Sequence, residues 1–200
     1  MFRISRDADK RFKKSSLVIF VTILVVGFSR HLPLAHPELL NFSPVLAIFM
    51  LSGAYLKGNL SWIAPLIGVI ISDILINPSY GANLFESFML VTLFSYSVIF
   101  LLGKMLGNKI RIRTLAFAGI GSALAFHVIT CGFVWWVNPF YTKDIGGFIQ
   151  ATIIGDSQYH PSAYVFLRNS ILSTVFFSVV FGFAFKLQSN QKASKKLKVA

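Results

Sequence analysis

Arg30, Asn41, Asp73, Glu86, His127, Arg168 and Asn169 stand out as charged or hydrogen-bonding side chains set in or beside apolar runs. Between them they offer carboxylates, guanidinium groups, an imidazole and carboxamides. That set can hold a polar molecule by charge and hydrogen bonds. Trp135 and Tyr141 can add flat apolar surface, stacking and polar tips. Each of these residues also has a purely structural use. Arg30 and Arg168 can snorkel to headgroups. Asp73 can pair with one of those arginines and lock a helix bundle. Glu86 can sit at a helix N-terminus, and His127 and Asn169 can bond a neighbouring helix. An ionisable group at the centre of a bilayer costs about 2.5–3.5 kcal/mol on insertion scales, so such groups face a cavity or one another.

Covalent chemistry has little support. There is no Gly-x-Ser-x-Gly elbow, no His-Glu-x-x-His pair and no acid-rich metal motif. The 4 histidines, at 31, 36, 127 and 160, could share a metal only by long-range assembly. Ser72 and Asp73 are adjacent in sequence, a poor geometry for a nucleophile and its base. Cys131 is the one cysteine, which excludes an intrachain disulfide. The expectation is a protein that is not an enzyme, with no catalytic residue, no metal and no cofactor.

The elements that must position these groups follow from composition. The chain is 55% apolar and 13% charged, with a mean hydropathy of +0.69, well below the charge of an ordinary soluble domain. Stretches 15–30, 42–56, 60–76, 84–106, 114–137 and 164–187 approach or reach membrane-spanning length. Their apolar residues run all round rather than in one stripe. The fold class expected is all-α integral membrane, with six transmembrane helices. Residues 1–14 form a basic cytoplasmic arm, 138–163 a long outer loop and 188–200 a basic cytoplasmic tail. No small-x-small cleavage site follows the first apolar run, so that helix is expected to remain uncleaved.

The net charge of +12 raises nucleic acid as a partner, but its distribution points to the lipid bilayer. With the N-terminus inside, every basic residue except Arg30, Lys143 and Arg168 falls on the cytoplasmic side. This is the positive-inside pattern; it places both termini in the cytoplasm of a multi-pass protein, with no role for nucleic acid. Asp73 lies 13 residues beyond Leu60 and His127 lies 13 beyond Thr114, so both sit about 20 Å above the inner ends of their spans. The polar residues therefore gather in the outer half, and an outward-facing polar pocket beneath 138–163 is expected. The turn at Lys57-Gly58-Asn59 falls on the cytoplasmic side.

Asn41-Phe42-Ser43-Pro44-Val45-x-Ala47, Gly53-Ala54-Tyr55 and Ser72-Asp73 resemble motifs of an uncharacterised family of small bacterial membrane proteins. Phe126-His127-Val128-Ile129-Thr130, Phe166-x-x-Asn169-Ser170 and Phe181-Gly182 extend the likeness over roughly residues 30–182. Members of that family look like the substrate-binding S components of energy-coupling-factor (ECF) transporters. The chain departs from the family pattern at Ser173-Thr174, where Gly-Asp is common, and at Thr130-Cys131, where Thr-Asn is usual. The first span also lacks the Ala-x-x-x-Ala face that many S components turn to their coupling subunit. The resemblance implies an S-component-like bundle in the bacterial inner membrane. It also implies a vitamin- or micronutrient-type ligand, and an ECF-type coupling subunit with ATPases as partners. Arg30, Asp73 and Asn169 would orient the ligand, and His127, Trp135 and Tyr141 would shape its pocket. The small-residue faces leave open a non-transport scaffold or assembly partner, and a membrane enzyme depending on Asp73 or His127 is a third reading.

Overall fold

In a computed structural model the chain is described over residues 24–56, 58–81, 83, 87–107, 111–156 and 161–197, with side chains as far as Phe183 apart from those of Leu60 and Tyr80. The arm 1–14, the first part of span 15–30, Lys57 and Glu86 lie outside the described residues. Helix α1 covers residues 24–35, followed by a 3-10 turn, Pro37–Leu39. The other helices are α2, Val45–Tyr55; α3, Leu60–Ile76, which runs into a 3-10 turn at Asn77–Tyr80; α4, Ser87–Leu106; and α5, Ile112–Val137. A short α6, Ile145–Ile149, passes into a π-helical turn, Gln150–Ile154, and α7 covers Ala163–Leu197. Among the described residues there is no strand.

Among the described residues, four helices are long and apolar enough to cross a membrane: Ser61–Ser79, Ser87–Leu106, Ile112–Val137 and Ala163–Phe183. Leu90, Phe94 and Met105 of α4, Phe117 of α5, and Phe176 and Phe183 of α7 point outward. An unbroken coat of this kind suits hydrocarbon and would be unfavourable in water.

The structure departs from the sequence reading at three element ends. Helix α1 continues past Arg30 and through Pro33 to residue 35. Pro33 has no N–H to give the Ser29 carbonyl, and the helix ends two residues later. Helix α7 does not stop at 187 but continues to Leu197. The stretch after Phe185 has no Gly or Pro to end a helix, and its lysines suit a helix C-terminus. The third departure is α2. Its 11 residues span only about 16 Å, half a hydrocarbon core. Val45, Leu46, Ala47, Phe49, Met50, Leu51, Ser52, Gly53 and Ala54 are all buried. The reason 42–56 is apolar all round is that protein surrounds it: α2 packs against α3, α4, α5 and α7.

Two glycines let α2 and α4 touch backbone to backbone. A Cβ on Gly103 would lie 2.0 Å from the Met50 carbonyl oxygen, and one on Gly53 would lie 2.2 Å from that of Phe100. On the other flank, Gly119 of α5 lies against the backbone of Thr174 and Val175 in α7, 3.4 Å from where its Cβ would be, and the buried Ser122 donates to Met50 Sδ of α2 at 3.5 Å. Small residues replace the missing hydrophobic drive with close packing.

Because α2 is short, it starts well below the tops of its neighbours. Its first turn lies level with Tyr96, which is nine residues into α4, about 13 Å from that helix's start. The column above α2 is filled by the chain segment 36–44. Pro44 takes the N-cap position of α2 and the Ser43 hydroxyl accepts from Val45 N at 3.2 Å. Asn41 does not cap; it turns the chain at φ 63°, a left-handed conformation that asparagine tolerates.

Candidate functional site

Irregular backbone at membrane depth is stable only where its polar groups are satisfied or line a cavity. Segment 36–44 shows both. The Asn169 carboxamide, buried in α7, donates to the carbonyl oxygens of Glu38 at 2.7 Å and Leu40 at 2.8 Å. Arg168 Nε and Nη2 donate in turn to Asn169 Oδ1, at 3.3 and 3.2 Å. Asn169 thus ties the segment to the second turn of α7. Asn169→Leu should orphan both carbonyls and cost about 2–4 kcal/mol. Thermal denaturation in a neutral detergent measures this, and a loss below about 0.5 kcal/mol would show that the clamp is not needed.

Beneath the clamp lies a cavity of about 200 Å³. Its polar wall comprises Ser29 and Arg30 of α1, Asn41 and Ser43 of the segment, Asn77 after α3, Tyr96 of α4 and Ser170 of α7. Leu46, Ile76 and Phe126 supply apolar surface. Arg30 forms an ion pair with Asp73, the two side chains being 26% and 15% exposed. The Tyr96 ring lies between two others in near-parallel stacking, 4.8 Å from Phe49 and 5.7 Å from Phe126. This fixes its plane against the cavity.

Arg30 and Asn41 therefore line the cavity and Asp73 joins them through Arg30, whereas His127, Trp135, Tyr141, Arg168 and Asn169 do not line it. His127 is buried, and its Nε2 is 2.7 Å from the carbonyl oxygen of Thr152. It anchors the π-helical turn to α5, and Cys131 Sγ lies 3.7 Å from both of its ring nitrogens. Trp135 Nε1 donates to the Thr142 carbonyl at 2.8 Å and its ring meets Phe148 edge-on. Tyr141 is buried beneath the same outer segment, and burial raises its hydroxyl above the usual tyrosine range. Lys143 Nζ bonds the carbonyls of Trp135 and Asn138, closing the C-terminus of α5. These contacts build a fixed cover from 138–156 without sending a side chain into the cavity.

Asp144 starts α6. Its carboxylate accepts from Gly147 N at 2.7 Å and from the Thr142 hydroxyl at 2.9 Å. The Gly147 bond first, then Thr142, holds the carboxyl below its ordinary value of 3.8. A lowered folded-state value means that the cap is in place above the unfolded value and is lost as pH falls through the folded one. The Gly147 amide resonance should therefore titrate with a midpoint below 3.8; a midpoint above it would show the cap is absent in solution.

The sequence reading missed Tyr96, Ser29, Ser43, Asn77, Phe126 and Ser170. The usable signal was Ser95-Tyr96-Ser97, a polar-tipped cluster well inside span 84–106. No cluster of His, Cys, Asp and Glu suited to a metal occurs among the described residues.

No curated protein and no solved structure matches the chain. Residues 10–197 match a family described as of unknown function, DUF6580, and the chain belongs to that family.

Proposed function

We propose that this protein is the ligand-capturing membrane subunit of an uptake system for a small polar nutrient of the vitamin or micronutrient type. The observation that carries the reading is the cavity above α2, where an ion pair, asparagines and a stacked tyrosine converge between membrane-length helices. Its 200 Å³ is smaller than the roughly 300–1,000 Å³ of drug-sized sites, so the ligand would be a compact molecule. The Arg30–Asp73 pair is neutral as a unit, and the wall offers both donors and acceptors. A compact, neutral or zwitterionic ligand fits these terms better than an anion or a cation.

The S-component-like arrangement belongs to the same proposal. The four long helices and α1 would enclose α2 as the short sixth helix of the bundle, with both termini on the cytoplasmic side of the inner membrane. The sequence has no phosphate-binding Gly-x-x-x-x-Gly-Lys-Ser/Thr loop. Energy for transport would come from ATPases acting through a coupling subunit. Asn169, His127 and Lys143 serve the frame of this pocket, and Arg30, Asp73, Asn41 and Tyr96 touch the ligand.

Calorimetry on purified protein against a panel of vitamins, their precursors and metal ions tests the reading. One compound should bind with micromolar or better affinity, and Tyr96→Phe should weaken it about tenfold, the worth of one buried hydrogen bond. The reading fails if nothing on the panel binds and affinity purification from membranes recovers no ATPase. That pair of results would favour a scaffold, which the internal use of Asn169, His127 and Lys143 also suits.

A further inference from the structure

A second, larger hollow of about 590 Å³ lies at the opposite end of the bundle, between the α2–α3 turn and the end of α4. We propose that it holds the phosphate headgroup of an anionic phospholipid from the leaflet on that side. The inference stands apart from the ligand pocket above α2.

Charge is the first ground. Lys104 lines the hollow. Arg111, the N-cap of α5, and Arg113 in its first turn lie at the same end. No acidic residue occurs between Glu38 and Asp73 or between Glu86 and Asp144. Among the described residues at this end of α2, α4 and α5 there is thus no carboxylate to neutralise Lys104, and a phosphate would supply the opposite charge. Basic pockets between membrane helices select anionic headgroups in this way.

Shape is the second ground, and it separates a lipid from free phosphate. The floor is Ala54, Leu56 and Phe100, apolar surface that a bare anion would leave uncovered and an acyl chain would fill. Lys104 Nζ stands over the Phe100 ring, 5.8 Å from its centroid, so the charge and the apolar surface lie side by side in the hollow. Trp62 and Tyr55 line the same hollow, the residue types that settle at the headgroup level. The Asn59 side chain makes no bond to the start of α3.

Trp62 gives a direct readout. Full-length protein in neutral maltoside micelles is titrated with chain-brominated phosphatidylglycerol or phosphatidylcholine, and the Trp62 component is isolated by difference from Trp62→Phe. Phosphatidylglycerol should half-quench that component at about fivefold lower mole fraction than phosphatidylcholine, the worth of one lysine–phosphate contact. Lys104→Gln should abolish the preference and Lys104→Arg should keep it. Equal quenching by both lipids would overturn the proposal, as would a preference that survives in Lys104→Gln. Loss of the preference in millimolar inorganic phosphate at constant ionic strength would assign the site to free phosphate and equally overturn it.

Discussion

Gly103→Ala is expected to destabilise the protein by about 3 kcal/mol or more, the upper range for overpacking a close-packed interior. The added methyl would lie 2.0 Å from the Met50 carbonyl oxygen and 2.8 Å from its carbon. Both atoms are backbone, so no rotamer change relieves the clash; α2 and α4 must separate. That opens the core where Phe49, Met50, Ile99 and Phe100 meet. Gly53→Ala should behave alike, because its methyl meets the Phe100 carbonyl from the other side. Gly121→Ala is the control. It is an exposed helical position with nothing within 4 Å of the new methyl, so helix propensity alone should raise stability by up to about 1 kcal/mol. Denaturation of the three variants in the same detergent decides the matter. If Gly103→Ala and Gly121→Ala shift stability equally, the crossing is not close-packed.

The second large effect concerns Arg30 and Asp73. Asp73→Ala leaves a guanidinium without its partner in a part-buried site, and Arg30→Ala leaves a lone carboxylate. Each single change should cost about 3 kcal/mol, the lower end for breaking a buried pair. The double variant should lose clearly less than the sum, with a coupling of about 2 kcal/mol. Simple additivity would mean that the two charges do not act together. The same cycle separates lock from ligand contact. If the pair contacts ligand, the double variant regains stability but not binding. If it only joins α1 to α3, binding recovers along with stability.

How far these features were legible from sequence varies with the physics behind each signal. Charge asymmetry and long apolar runs report directly on transfer out of water, and the four long helices carry that signal plainly. Apolarity cannot separate a helix bathed in lipid from one bathed in protein, since both environments favour the same side chains. That is why 42–56 reads like a lipid-facing span while the structure buries α2. The rise of 1.5 Å per residue gives depth but not azimuth. Asp73 and His127 share a depth, yet Asp73 turns to Arg30 and His127 turns to Thr152. Tyr96 escaped notice because a tyrosine in an apolar run looks like any other aromatic until Phe49 and Phe126 are seen on either side. Asn169 stood out as polar, but its two acceptors come from residues 38 and 40, a pairing over a separation that no local pattern encodes.

The short, enclosed α2 also bears on how the chain is made. Its 11 residues are too few to halt a translocating chain by themselves, and a helix with almost no outward face gains little from meeting lipid. During synthesis α2 precedes most of its own surroundings, because α4, α5 and α7 all lie downstream. Its wall against α7 exists only after the last long helix has emerged. A nascent chain cut before residue 163 would hold α2 with one side uncovered. Completion of the bundle, rather than insertion of any single helix, is then the step that buries α2.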